Sequence, residues 1–229
     1  WIFLGRYLHP VTFEEHDIAL NLLQTGQYFY DYLNTPQRSF AYPMYPFLMA
    51  GIYPLLSYQP FWIGFVHVAI SALLPALTFS LGRFLLPEKA AWIAGLIVLV
   101  HPGLVVYSTV WHQMPWVSAV SLIFFCWLFS GELSSPAKTA ALGLWVAFGT
   151  LLRSTTMGLI PSALGYAWSQ RIKPRLTVIF LAAFLAGILP WILRNQQIYG
   201  QFVFLGTTSA EAFRSEEHTS ELQSRQYLV

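Results

Sequence analysis

The chain has 229 residues, of which 56% are hydrophobic and only 10% are charged, and its formal net charge is +2. Ordinary soluble domains carry roughly 25% charged residues, so this composition excludes a typical water-soluble globule and indicates an integral membrane protein. The basic residues are scattered and not clustered, so we expect no nucleic-acid partner.

The N-terminal part is predicted to be a helix end followed by an outer loop. Residues 1–8, WIFLGRYL, are the end of a truncated first transmembrane helix, and residues 9–59 are the loop. This loop holds the stretch TFEEHDIALNLLQTGQYFYD, residues 12–31, in which four acids occur close together in an otherwise charge-poor chain. They are Glu14, Glu15, Asp17 and Asp31.

The acidic stretch is predicted to form an amphipathic helix that rests on the membrane surface or on top of the bundle. Thr12 and Glu15 have the spacing of a capping box, and Gly26 is placed to end the helix. This gives Glu15 a structural role and leaves Glu14 and Asp17 without a local one. A solvated helix start, which favours acids through the helix dipole, also accounts for these two acids. The apolar stripe consists of Ile18, Ala19, Leu22 and Leu23.

The next apolar segment, residues 43–56, is too short to cross a bilayer and is predicted to be an interfacial or re-entrant helix. Residues 60–193 are predicted to contain about six transmembrane helices, and residues 194–213 begin an outer-face segment. The fold class is therefore an all-α polytopic transmembrane bundle. The predicted spans are 60–82, 90–110, 114–131, 139–152, 154–169 and 176–193.

The basic residues predict the orientation of the bundle. Short loops at 83–89, 132–138 and 170–175 carry six of them, and Lys and Arg in short loops mark the cytoplasmic side. The acidic stretch then lies outside, and several polar residues converge on the same face. They are Glu14, Glu15, Asp17, Asp31, Arg38, His112, Arg153 and Arg194.

The last sixteen residues are predicted to be an artefact. Residues 214–224, RSEEHTSELQS, match the in-frame translation of a common sequencing adapter. We therefore leave residues 214–229 out of the functional argument.

Several short motifs resemble those of the polytopic GT-C glycosyltransferases. They are an acid four positions before Ile18-Ala19, the run ALNLLQTGQY, the turn AYPMYP, HPGLVVYS and PWILRNQQIYGQF. The resemblance is to the branch of protein O-mannosyltransferases and lipid A aminoarabinose transferases. It runs from about residue 11 to residue 207 and would cover the N-terminal part of such an enzyme.

The resemblance implies a sugar transfer from a polyprenyl-phosphate carrier to a hydroxyl of a lipid, glycan or protein, on the outer face of a membrane. The implied location is a bacterial inner membrane with its site on the periplasmic side. Such chemistry needs a carboxylate that accepts a proton and a cation that stabilises the departing phosphate. The family's outer-loop acid corresponds to Glu14, the predicted general base, with Asp17 and Glu15 as reserves.

Three arginines are candidates for the carrier phosphate. Arg153 interrupts a pair of short apolar segments and is the first candidate, although it could also reach the membrane surface as an ordinary loop arginine. Arg194 and Arg38 are weaker candidates. No cofactor or metal ligand set is predicted, while a divalent metal stays open, and His112 stands where relatives often carry an acid.

Two other functions are compatible with the sequence. A flippase or transporter of a polyprenyl-linked glycan would also be polytopic, but internal repeats are typical of that class and none is evident. A non-catalytic membrane scaffold would need no acids at an outer helix start.

Overall fold

The fold is described from a computed structural model for residues 14–32, 35–38, 41–56, 60–131, 135–200 and 202–206. The predicted helix end at 1–8, the cap residue Thr12 and the tail at 214–229 lie outside these residues. The elements are α1 (Glu14–Thr25), β1 (Tyr30–Tyr32), β2 (Thr35–Gln37), α2 (Met44–Leu55), α3 (Pro60–Leu85), α4 (Glu88–Val100), α5 (Pro102–Ser108), α6 (Met114–Phe129), α7 (Pro136–Leu152), a 3-10 helix (Ser154–Gly158), α8 (Leu159–Ser169) and α9 (Pro174–Tyr199).

The described part of the chain is an all-α membrane bundle with one small addition. Two helices, Trp62–Leu85 and Pro174–Tyr199, are long and apolar enough to cross a membrane, and a third span exists if α4 and α5 count as one. The helices α6 and α7 are apolar but shorter. The addition is an antiparallel hairpin in which Tyr30 pairs with Gln37, a feature that the all-α prediction missed.

The predicted span at 90–110 is bent. It consists of α4 and α5, which meet at an angle of 53°. The break falls at His101, whose backbone is extended (φ −65°, ψ 117°), directly before Pro102. A residue that precedes proline is driven out of the helical region, and proline has no amide hydrogen to continue the helix.

The helices α7 and α9 pack in close contact through small residues. A Cβ on Gly143 would meet the carbonyl oxygen of Phe180, and a Cβ on Gly187 would lie 2.5 Å from the Cβ of Ala147. Such small residues allow the backbones of membrane helices to approach closely, which raises the dispersion energy between them. Around this pair lies a hydrophobic cluster of buried residues.

The helices α1 and α2 lie together at one end of the bundle. Both contain 12 residues and are therefore about 18 Å long, shorter than the hydrocarbon core of a bilayer. Ile18 and Ala19 are fully buried, as the apolar stripe predicted, whereas Leu23 is 44% exposed. The helix ends where expected, because Gly26 adopts a φ of +71° that L-residues rarely tolerate.

Candidate functional site

The first turn of α1 presents three acids in three different environments. Glu14 is half-buried, Glu15 is only 5% exposed, and Asp17 is exposed. Acids are favoured in a first helical turn because the unpaired amide groups there carry partial positive charge. The helix therefore accounts for the presence of acids at this position, but not for the burial of one of them.

Glu15 is a buried carboxyl without full hydrogen bonding. Its Oε2 atom is enclosed and has no hydrogen-bond partner among the described residues. The pKa of Glu15 is raised from 4.5 to about 7, because burial and the negative charge of Glu14 raise it by more than a backbone hydrogen bond and the charge of Arg153 lower it. A buried carboxyl of this kind holds a proton at mildly acidic pH, as groups at functional sites often do.

Arg153 lies at the break that follows α7. Its backbone is extended (φ −163°, ψ 133°), and its carbonyl accepts hydrogen bonds from the amide and the hydroxyl of Thr156. The side chain is half-buried, and within the described ranges its guanidinium has no hydrogen-bond or ion-pair partner. Tyr42 hydrogen-bonds the neighbouring Ser154 at 2.8 Å, which ties the loop before α2 to this break.

His112 belongs to the same end of the bundle. Its Nδ1 accepts a hydrogen bond of 3.2 Å from the amide of Met114, so this nitrogen carries no proton. Burial lowers the pKa of His112, and the nearby charge of Arg153 lowers it further. His112 is therefore a neutral imidazole at pH 7. The charge of Arg153 therefore acts on both Glu15 and His112.

Two tyrosines of α2 were missed by the sequence argument. Tyr53 hydrogen-bonds Nδ1 of His16 on α1 at 2.7 Å, and Tyr45 hydrogen-bonds Nε2 of His67 on α3 at 2.7 Å. The Nδ1 atom of His67 lies 3.0 Å from the carbonyl oxygen of Ile63, which can only accept, so Nδ1 carries the hydrogen and Nε2 accepts from Tyr45. The spacing of eight residues between the tyrosines puts both on one buried face of α2. The sequence alone does not show which histidines they hydrogen-bond.

Arg38 and Arg194 lie elsewhere. Both line an open groove of about 410 Å³ at the C-terminal end of α1, together with Gln27 and Phe47. Of the three arginines that the sequence linked to the carrier phosphate, the structure brings only Arg153 together with Glu15. Within the described ranges, no three His, Cys, Asp or Glu side chains are grouped closely enough to hold a metal ion.

Comparison with known proteins identifies a family. A family model described as dolichyl-phosphate-mannose-protein mannosyltransferase matches residues 36–193, which is more than half of the chain. No curated protein and no solved structure matches. The matched range includes Arg38 and Arg153, whereas the acids of α1 lie before it and Arg194 directly after it.

Proposed function

Because the chain belongs to the dolichyl-phosphate-mannose-protein mannosyltransferase family, whose members are GT-C membrane glycosyltransferases, we propose that its donor is a sugar on a polyprenyl phosphate. The sugar is transferred on the outer face of the membrane to a hydroxyl of a lipid, glycan or protein. The observation that supports this reaction most directly is the buried carboxyl of Glu15, which stands next to Glu14 in α1 and is acted on by the positive charge of Arg153.

The transfer needs one proton acceptor and one cation. The acceptor hydroxyl gives its proton to a carboxylate while its oxygen bonds to the anomeric carbon of the sugar. The bond between that carbon and the phosphate oxygen breaks, and the electron pair leaves with the polyprenyl phosphate. A positive charge close to the phosphate stabilises the negative charge that develops there.

Glu14 is the proposed proton acceptor. It is half-buried and can be reached from outside, whereas the Oε2 atom of Glu15 is enclosed. With a pKa of about 7, Glu15 is also protonated in a large share of molecules at neutral pH, and a protonated carboxyl cannot accept the proton. Glu15 and the exposed Asp17 remain the reserves.

Arg153 is the proposed contact for the carrier phosphate. Its guanidinium is half-buried and uncommitted among the described residues, and a partly desolvated arginine binds phosphate more strongly than one in water. Arg194 already donates hydrogen bonds to backbone carbonyls, so it is a weaker candidate for this role. Arg38 is exposed and stays a secondary candidate.

The test is a transfer assay with the full-length protein in liposomes that contain a polyprenyl-phosphate sugar. We expect Glu14→Gln to slow transfer by about 10²- to 10⁴-fold, the range for loss of a general base. Glu88→Gln, at an exposed acid of α4, is the matched control and should transfer normally. Undiminished transfer by Glu14→Gln rules out Glu14 as the base, and movement of the donor across the bilayer without transfer favours the flippase.

The phosphate contact is tested separately by donor binding. Arg153→Gln should weaken donor binding by about tenfold, the effect of losing roughly 1.4 kcal/mol. Arg153→Lys should restore part of it, because lysine keeps the charge without the planar fork. Arg83→Gln, at an exposed arginine in the last turn of α3, is the control. Unchanged donor affinity in Arg153→Gln would refute this role.

A further inference from the structure

The last turns of α9 carry three side chains that all bind backbone carbonyls of other segments. They are Trp191, Arg194 and Asn195, two of which are buried. Side chains that bind a substrate usually direct their polar groups into a cavity, whereas these direct theirs at the main chain of their own protein. Their bonds define two arms, one toward the N-terminal loop and one toward the segment after α9.

The hydrogen bonds of the first arm come from Arg194. Its Nη1 donates to the carbonyl of Arg38 at 3.0 Å, and its Nη2 donates to the carbonyl of Tyr28 at 3.3 Å. These two residues flank the β1–β2 hairpin, so one guanidinium holds the hairpin at both of its ends. The guanidinium carbon also lies 4.4 Å from the ring centre of Trp191 and 5.2 Å from that of Tyr28, which fixes its plane.

The second arm binds the extended segment that follows α9. Nε1 of Trp191 donates to the carbonyl of Leu205 at 2.6 Å. Nδ2 of Asn195, which is fully buried, lies 3.3 Å from the carbonyl of Val203 and 3.5 Å from that of Leu205. The amide of Asn195 thereby satisfies main-chain groups that would otherwise be costly to bury.

The two arms are joined within α9. Nη1 of Arg194 donates to Oδ1 of Asn195 at 3.2 Å, and the ring of Trp191 supports the guanidinium while its Nε1 binds the second segment. A continuous set of contacts therefore runs from Tyr28 through Arg194 and Asn195 to Val203.

We propose that Trp191, Arg194 and Asn195 are positioning residues that couple the acid-bearing outer loop to the chain segment after α9. Tyr28 stands three residues beyond the end of α1, so the first arm limits the movement of the helix that carries Glu14 and Glu15. If the segment at 203–205 is displaced, Asn195 and Arg194 transmit the change, and the loop that contains Tyr28 and Arg38 becomes less ordered. The role assigned to Arg194 is structural coupling and not phosphate binding. Only the catalytic consequence rests on the proposed function.

Hydrogen–deuterium exchange of the full-length protein in detergent tests the coupling without any substrate. Asn195→Ala removes the side-chain amide, whose Nδ2 belongs to the second arm and whose Oδ1 accepts the bond from Arg194. It should speed exchange about tenfold both at 202–206 and at 27–38. Loss of a buried hydrogen bond to a charged group raises the equilibrium constant for local opening by about that factor. Trp191→Phe keeps a ring beneath Arg194 and should mainly affect 202–206. Arg175→Gln, at the exposed first turn of the same helix, is the control.

The result that overturns the coupling is faster exchange at 202–206 in Asn195→Ala with unchanged exchange at 27–38. If Asn195→Ala does not fold, Asn195→Leu, which removes both the Nδ2 donor and the Oδ1 acceptor at a similar size, gives the same comparison.

Kinetics then separate the two roles of Arg194 where the wild-type protein transfers sugar. A positioning role lowers kcat in Arg194→Gln by about tenfold or more and leaves the donor KM within about twofold. A rise in donor KM with unchanged kcat would contradict it and support a phosphate contact. Wild-type protein that does not transfer at all contradicts the proposed function but leaves the exchange experiment decisive for the coupling.

Discussion

Replacing Glu15 by glutamine should stabilise the protein at pH 8 and leave its stability near pH 4.5 unchanged. Glutamine has nearly the same shape as glutamate but carries no charge, so the variant removes the unfavourable burial of a carboxylate. The Oε2 atom of Glu15 has no hydrogen-bond partner among the described residues, so few favourable contacts of the carboxylate are lost with it.

The size of the effect follows from the pKa of Glu15. The rise from 4.5 to about 7 corresponds to about 3 kcal/mol, because one pKa unit is roughly 1.36 kcal/mol. Below pH 4.5 the carboxyl is protonated in both the folded and the unfolded chain, so it contributes nothing. Between pH 4.5 and 7 the folded chain keeps a proton that the unfolded chain has lost, so the free energy of unfolding falls as the pH rises. Above pH 7 the carboxyl is ionised in both states, so the free energy of unfolding stays lower by about 3 kcal/mol.

The assay is the apparent melting temperature of the full-length protein in detergent, measured at one scan rate from pH 4.5 to pH 8. For a chain of this size 1 kcal/mol corresponds to about 2–4 °C, so Glu15→Gln should melt about 6–12 °C above the wild type at pH 8. Asp17→Asn, at an exposed acid of the same helical turn, is the control and should show no such pH-dependent difference. A difference between Glu15→Gln and wild type that is the same at every pH would contradict the raised pKa of Glu15.

Two further substitutions test the packing. Gly143→Ala places a Cβ against the carbonyl oxygen of Phe180 and should destabilise the protein by about 1–3 kcal/mol. The control, Gly165→Ala in α8, places its Cβ in open space and should be neutral or slightly stabilising. Equal melting temperatures of the two variants would contradict the close contact of α7 and α9. Tyr45→Phe leaves the buried Nε2 of His67 without its hydrogen-bond partner and should lower the free energy of unfolding by about 1–3 kcal/mol in chemical denaturation. An unchanged midpoint would contradict this hydrogen bond.

The all-α membrane bundle could be predicted from the sequence because charge-free segments alternate with short basic loops. The span predicted at 176–193 corresponds to α9, which extends to Tyr199 because the polar residues after Arg194 continue the helix until Gly200 turns left-handed at a φ of +65°. The break in α4–α5 was not predicted. Proline is tolerated in many membrane helices, so Pro102 alone does not distinguish a bend from a continuous span.

The candidate site was only partly predictable. The acids of α1 stood out because charge is rare in this chain, and Arg153 stood out because it interrupts an apolar run. The burial of Glu15 was not predictable, because it depends on how α2 and the α7 break lie against α1. The hydrogen bonds of Arg194 reach carbonyls that lie 156 and 166 positions away in the sequence. Because every residue has a backbone carbonyl, the sequence does not show which residues accept these bonds.

The close contact of α7 and α9 also limits how the gene can change in length. Adding or deleting one residue turns the rest of an α-helix by about 100°, which would move Gly143 or Gly187 out of the contact and bring a larger side chain into it. Insertions and deletions in the two helices should therefore be rare among homologues, while the segment at 170–173 between α8 and α9 absorbs them. An alignment of homologues should show gap-free blocks over both helices, with the separation of Arg153 and Arg194 varying only through residues 154–173.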